Sequence, residues 1–276
     1  MDISSSSIQA DERPVRVWLT PGRIALYSAV MLAIGVLFVS IMVRVGFHST
    51  DPGLFRPGSG FTVFWSASHL MRHGSPWQVY VVPAFSRALA DLFPITAGHA
   101  FLPWLYPPSY LLVVAPFSLL PYAIGYPLFI ALGIVLLGVS TWRVSGLAAT
   151  PGAKRVGWLA LLACPGVLVT ATYGQNAMLT ATCAALAVHF VDRRPMLAGF
   201  FIGLLSVKPQ LALLFPFVLI AARAWRAFAW AAAFATAFTA LGIATGGIES
   251  LHLFMQNAGA LRSLIIEHGV PFWFAS

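Results

Sequence analysis

The stretch Ile24-Ala25-Leu26-Tyr27-Ser28-Ala29-Val30-Met31-Leu32-Ala33-Ile34-Gly35-Val36-Leu37-Phe38-Val39-Ser40-Ile41-Met42-Val43 carries no charge and is closed at either end by Arg23 and Arg44. At a helical rise of about 1.5 Å per residue, such a run crosses the roughly 30 Å hydrocarbon core of a bilayer once. Lipid offers no partner to open backbone, so the run must be helical, and it is too long for a barrel strand. It also exceeds the apolar core of a signal peptide, and no small-residue cleavage site follows. It therefore reads as an uncleaved first membrane helix behind a polar tail.

Composition extends this reading to the rest of the chain. Of 276 residues, 59% are apolar and 9% charged, with a mean hydropathy of +0.84; soluble domains carry about 25% charge. Seven more uncharged runs follow: Leu105 to Tyr122, Tyr122 to Trp142, Val156 to Tyr173, Ala177 to Val191, Pro195 to Val207, Pro209 to Ala222 and Ala227 to Ala244. The expected fold class is an all-α polytopic membrane protein with about eight apolar segments. The net charge of +8 comes from basic residues at segment ends, without a basic patch interleaved with aromatics, so no nucleic-acid partner is expected. Cys164 and Cys183 both lie in apolar runs without CxxC spacing and read as small buried hydrophobes.

Charge placement orients the segments. Arg13, Arg16 and Arg23, then Arg143, Lys154 and Arg155, then Asp192, Arg193 and Arg194, then Arg223 and Arg226 form four clusters that the positive-inside rule assigns to the cytoplasm. The division that follows is a cytoplasmic tail over 1–23, a membrane domain over 24–246 that includes an outer loop 44–104, and an outer C-terminal segment over 247–276 that reads as cut short. The topology closes only if Leu105 to Tyr122, with Pro107, Pro108, Pro116 and Pro121, is broken or re-entrant. Lys208, the only charge between two short apolar runs, is expected to turn the chain near the outer face.

The outer loop has its own pattern. Phe61, Phe64, Trp65, Ser68 and Met71 recur at helical spacing, as do Phe85, Leu89, Leu92 and Phe93, with Arg87 and Asp91 on the polar side. Two interfacial helices lying on the membrane are expected here. Candidate chemistry gathers on the same side. Asp51, in the Pro/Gly-rich stretch His48-Ser49-Thr50-Asp51-Pro52-Gly53, is a candidate base, though Asp-Pro also starts turns. His69 and His73 stand four apart on one helix face, as metal ligands would, but no carboxylate or cysteine completes a set nearby. No metal is expected, and the two read as a polar stripe. Tyr106-Pro107-Pro108, Gly174-Gln175-Asn176 and Lys208-Pro209-Gln210 place polar groups at membrane depth, where they are costly and mark function by default. Each also has a plainer reading as helix breaker, cap or snorkelling lysine.

Phe61-Thr62-Val63-Phe64-Trp65-Ser66-Ala67, Trp104-Leu105-Tyr106-Pro107-Pro108, Tyr173-Gly174-Gln175-Asn176, the stretch Asp192 to Gly199 and Lys208-Pro209-Gln210 together resemble glycosyltransferase family 87 over about Phe61 to Asn257. The resemblance implies a GT-C-like helical bundle with interfacial helices in its first outer loop. It implies an inverting hexosyltransferase, with mannose one candidate sugar, whose donor is a polyprenyl-phosphate-linked sugar and whose acceptor is a glycolipid or glycan. It further implies a multi-pass protein of the bacterial inner membrane with a periplasmic active face, using no nucleotide sugar and no cofactor. Asp51 would then be catalytic. Tyr106, Gln175, Asn176, Lys208, Gln210, His69, Arg72 and His73 would bind substrate, with Lys208 the main cation for the lipid phosphate. The family usually carries an acid directly before the Phe-x-x-Phe stretch, and this chain has Gly60 there. Either Asp51 substitutes for it, or the protein binds polyprenyl lipid or a partner without catalysis. A transporter is a third reading, against which the lack of internal repeats and of acids within the segments counts.

Overall fold

The computed structural model describes residues 20–48, 57–94, 103–146 and 153–268. The described residues form thirteen α-helices joined by short 3-10 turns and contain no strand. The protein is an all-α polytopic membrane protein. Helix α1 (Pro21–His48) buries little beyond Ser28 and Gly46 and packs mainly along α6 (Ala153–Leu162) and α7 (Pro165–Tyr173). Its exposed Leu26, Leu37 and Phe38 are the surface that lipid covers.

All eight apolar runs form helix, but they differ in length. Helices α1, α5 (Tyr122–Val144) and α12 (Trp225–Gly246) are long and apolar enough to span, and α6 with α7 is a pair bent by 55° that together has the length and hydropathy of one further span or of a re-entrant loop. The bend falls where Pro165 cannot donate a backbone hydrogen bond. Cys164 sits at this break and is exposed, unlike the buried Cys183, so only one of the two cysteines fits the expectation of burial. The other runs are interrupted. Leu105 to Tyr122 becomes α4 (Pro108–Val114) and a 3-10 turn (Ala115–Leu119). Helix α8 (Ala177–Phe190) has 14 residues, about 21 Å of rise against a core of roughly 30 Å.

At Lys208 the chain reverses, as its sequence position suggested. Helix α9 (Pro195–Leu204) and its 3-10 continuation (Leu205–Val207) end there, and α10 (Pro209–Ala212) and α11 (Leu214–Ala221) return. Ile202 and Leu219 share one apolar cluster with Ala227 and Ala231 of α12; on a continuous helix they would stand about 25 Å apart.

Helix α12 is the spine of this half. A Cβ on Gly199 would stand 2.4 Å from the Trp230 Cβ, and one on Gly203 would stand 2.6 Å from the Phe234 Cβ. The two glycines, four residues apart, let α9 lie against the α12 backbone, the small-residue packing by which membrane helices associate. Further along, a Cβ on Gly242 would meet the Ser109 backbone nitrogen at 2.4 Å. The bare face of α12 thus seats Pro108 and Ser109 at the start of α4.

The first loop departs from expectation in one respect. Helices α2 (Ser59–Arg72) and α3 (Val82–Leu92) occupy the expected positions, and Arg87 and Asp91 are exposed as expected. However, α2 does not lie on a surface: Gly60 to Phe64 and Ser66 to Ser68 are all buried. Phe61 packs 5.3–5.9 Å from Phe117, Tyr122, Tyr126 and Phe129, and Phe64 packs 5.3–6.3 Å from Trp104, Tyr106 and Tyr110. Each such pair is worth about 1 kcal/mol beyond its buried area. The polar side of α2 is used too. Trp65 Nε1 donates to the Leu120 carbonyl, Ser68 Oγ to the Ala115 carbonyl, and Arg72 to the Ser118 carbonyl. These donors satisfy carbonyls that the broken segment after α4 leaves free. Helix α13 (Ile248–His268) is tied to the same loop, with Asn257 Nδ2 donating to the Tyr80 carbonyl at 2.8 Å.

Candidate functional site

Gly174 ends α7 in the left-handed region at φ +70, and the Gln175 amide returns to the Thr170 carbonyl at 3.0 Å. A residue with a Cβ would be strained there. It would also collide, because that Cβ would fall 2.6 Å from the Phe61 Cβ. The start of α2 is stitched to this turn: the Gly58 amide donates to the Thr172 carbonyl at 2.8 Å, and the Tyr126 hydroxyl lies 2.9 Å from that oxygen. Gly60 completes the joint. A side chain there would meet the Tyr173 carbonyl at 2.8 Å and Gln175 Nε2 at 2.9 Å. Gln175 and the Tyr173 carbonyl thus occupy the space that an acid at position 60 would need.

The Tyr106-Pro107-Pro108 stretch approaches the same joint from the other side. Pro107 is extended at ψ 162 and Pro108 opens α4, where its missing N–H costs nothing. The Tyr80 hydroxyl donates to the Tyr106 carbonyl at 3.0 Å, and the Tyr106 and Tyr110 rings lie 4.4 Å apart. Both hydroxyls interact with the Asn176 side chain. Even so, neither polar atom of Asn176 nor the Tyr110 hydroxyl completes a hydrogen bond among the described residues. Ser109 Oγ and Ser206 Oγ are likewise buried without a partner. Tyr110, Ser109 and Ser206 were not singled out from sequence. Tyr110 could have been, since it follows Tyr106 by four residues and so shares its helix face.

Lys208 occupies the break between α9 and α10 with φ −124 and ψ 83. It is 8% exposed. Its ammonium makes no hydrogen bond or ion pair among the described residues. Beside it opens a groove of about 430 Å³ between α9, the α10–α11 return, α12 and α13. Pro107, Pro108, Ser206 and Pro209 line one part of it, and the remaining walls are apolar apart from Thr239. A second cavity of about 120 Å³ lies between α4, α5 and α8, with Gln175 and Asn176 in its lining. Among the described residues, no carboxylate lines either space.

Of the residues expected to form one site, Tyr106, Gln175, Asn176 and Lys208 gather around the α2 and α4 core; Val207, next to Lys208, belongs to the same buried cluster as Phe61 and Tyr110. Gln210 is exposed on α10. His69, Arg72 and His73 are elsewhere: nine to thirteen residues of helix, about 14–20 Å, separate them from Gly60. There His69 stacks between Trp65 at 5.5 Å and His73 at 4.0 Å, and His73 Nδ1 is 2.7 Å from the His69 carbonyl. Partial burial, then His73 and Arg72, lower the His69 pKa below its ordinary value. Asp51 lies outside the described residues.

The sequence model of glycosyltransferase family 87 matches residues 104–275, more than half of the chain. The match starts at Trp104, so it takes in the Tyr106, Gln175 and Lys208 stretches and leaves out α2. No curated protein and no solved structure matches the chain.

Proposed function

The chain belongs to glycosyltransferase family 87, and from that membership we propose that this membrane glycosyltransferase takes its sugar from a polyprenyl-phosphate donor. The acceptor is a glycolipid or glycan, and the transfer, of a hexose such as mannose, takes place at the outer face of the bacterial inner membrane. The observation that supports this reading best is Lys208, a buried lysine without a carboxylate partner among the described residues, beside a groove of about 430 Å³ with an almost wholly apolar lining. A buried cation without a partner is costly, and an anion that arrives with a long apolar chain satisfies it. A polyprenyl phosphate has both parts: its chain fills the groove and its phosphate meets the ammonium.

The chemistry follows from that placement. An acceptor hydroxyl oxygen attacks the anomeric carbon from the face opposite the phosphate, which inverts it. The bond from that carbon to the phosphate oxygen breaks, the polyprenyl phosphate leaves with its charge held by Lys208, and a carboxylate takes the hydroxyl proton. Asp51 is the proposed base, with Tyr106, Gln175 and Asn176 orienting substrate. Gly60 has no room for a side chain, so an acid from a different position is required.

The test uses the purified full chain in lipid nanodiscs with radiolabelled polyprenyl-phosphate hexoses and a membrane glycolipid extract. Transfer by wild type, a loss of about 10²–10³ in Lys208→Met and partial retention in Lys208→Arg are expected, the size seen when one charge-stabilising donor is removed. Asp51→Asn should be at least as impaired. If folded wild type transfers no hexose from any such donor yet binds it, the protein is a lipid-binding relative without turnover, the second reading that Gly60 keeps open. Unaltered rates in Lys208→Met would remove Lys208 from the mechanism.

A further inference from the structure

The glycines that seat α9 on α12 also fix the register of the two helices, which run parallel. Gly199 meets Trp230 and Ala231, and Gly203 meets Phe234 and Ala235, an offset of 31 to 32 residues both times. Carried back one turn, that offset sets Arg194 beside Trp225 and Pro195 beside Arg226. Arg223 stands in the turn that leads into α12, which closes through its own amide on the Ile220 carbonyl at 3.0 Å and the Ala224 amide on the Leu219 carbonyl at 2.8 Å. Its φ is +54, in the region that favours glycine, so an arginine holds this turn at a backbone cost. Arg193, Arg194, Arg223 and Arg226 are thus exposed together at one end of the α9–α12 seam. Their side chains make no hydrogen bond or ion pair among the described residues, and Asp192 is the one acid in either turn. Four like charges so gathered repel one another and draw an anion.

Further along the seam an apolar groove of about 200 Å³ opens between Phe200, Gly203 and Leu204 of α9 and Phe234, Ala237 and Leu241 of α12. It shares no residue with the groove beside Lys208 and lies across the seam from it. Ala237 and Leu241 are exposed, so its long side is open to lipid. Phe200 is six residues past Arg194 and Leu241 fifteen past Arg226, which puts the groove about 9 to 22 Å from the arginines, at the depth of lipid chains. Arg226 shares a helix face with Trp230 and Ala237, four and eleven residues on, so charge and groove are on one side of α12. Trp225, 58% exposed beside Arg226, is the residue type that sits at headgroup level. A soluble anion would use the arginines and leave the groove empty; an uncharged lipid would do the reverse. A guanidinium pairs with phosphate through two parallel hydrogen bonds, and basic pockets between membrane helices suit acidic headgroups. We propose that this arginine cluster binds the phosphate of an anionic glycerophospholipid while one of its acyl chains lies in the groove along the α9–α12 seam. The second chain stays in the bilayer through the open side. Lys208, fourteen residues past Arg194 and about 20 Å away along α9, takes no part in this site.

The experiment places the full chain in phosphatidylcholine nanodiscs with a small fraction of a phosphatidylglycerol that carries a diazirine midway along one acyl chain, and maps the crosslinked peptides. Crosslinks are expected on α9 and α12, near Phe200 and Ala237. Excess dioleoyl phosphatidylglycerol should displace the probe, whereas equal dioleoyl phosphatidylcholine or millimolar inorganic phosphate should not. Arg194→Gln with Arg226→Gln should lower crosslinking there at least tenfold, since each basic residue near an anionic lipid contributes about fivefold in affinity. Arg143→Gln with Arg155→Gln, an equal loss of charge between α5 and α6, should leave it within about twofold of wild type. Ala237→Phe should lower it by filling the groove from its open side, and thermal melts verify the fold of every variant. Displacement by phosphatidylcholine would make the groove a general lipid contact, and displacement by inorganic phosphate would make the arginines a free-anion site. Stronger displacement by a polyprenyl phosphate would assign the groove to the donor lipid. Each of these overturns the proposal, as does undiminished crosslinking in the folded double variant of Arg194 and Arg226.

Discussion

The two ends of α2 differ more than any other pair of places along one element. At its start, Gly58, Gly60 and Phe61 are locked onto Tyr173, Gly174 and Gln175, and the groups around them are buried and partly unmet. At its end, His69, Arg72 and His73 are half-buried or exposed, stacked on one another or bound to a backbone carbonyl. The start abuts the stretch proposed to hold substrate, whereas the end ties α2 to the broken segment after α4. Helical spacing read an apolar stripe from Phe61 and a polar one at His69 and His73, but spacing along a helix cannot say which end meets distant segments.

Gly174→Leu should break the comparison outright. Positive φ and the clash with Phe61 together are expected to cost several kcal/mol. The variant should be recovered largely aggregated, with no cooperative melt in detergent, and a normal melt would show that the joint is not rigid. Gln175→Leu and His69→Ala are the sharpest pair. The first should lower hexose transfer at least tenfold, while the second should stay within about twofold of wild type, since removing a transition-state contact is costly and removing a distant side chain is not. A reversed order would move the site to the far end of α2.

Gly60→Asp is expected to lower the melting temperature by several degrees, because a new side chain must displace Gln175 or press on the Tyr173 carbonyl. A gain in transfer would show instead that an acid there is tolerated and useful. Arg72→Met tests the other end and should cost about 1–2 kcal/mol through the lost bond to the Ser118 carbonyl, with the transfer rate unchanged. The smallest effect concerns pH. His69 titrates below its ordinary 6.5 in the folded state, so on acidification the unfolded chain takes up the proton first and stability falls below about pH 6.5. His69→Phe should flatten that slope in melts between pH 7.5 and 5.5, and an unchanged slope would assign the acid sensitivity elsewhere.

Much of this protein was legible from residue order alone. The run Ile24 to Val43 specifies a spanning helix because hydrocarbon leaves backbone no alternative, and the prolines from 107 to 121 announce a broken segment because each removes a donor. Lys208 identified its own turn. The motif stretches around Tyr106, Gln175 and Lys208 singled out residues that gather around α2 and α4. Residues expected on a surface were misplaced where burial depended on partners. Phe61 to Ser68 alternate as an interfacial helix would, yet the whole first half of α2 is enclosed by aromatic residues from α4 and α5 that lie dozens of positions away. Cys164 was misread for the converse reason, since an apolar neighbourhood in sequence can be lipid in space.

The sequence by itself determined that the chain lives in a bilayer, where its apolar segments lie, and which family it belongs to, because those properties are written in local hydropathy, proline placement and short ordered motifs. Only the tertiary structure decided that Gly60 and the Gly174 turn are points of close contact, that Ser109 and Tyr110 join Asn176 in a core incompletely bonded among the described residues, and that two cavities of different chemistry flank α4. Those facts depend on close approaches between segments about 70 to 130 residues apart, set by the shapes of opposing surfaces, and no local pattern encodes a distance of that kind.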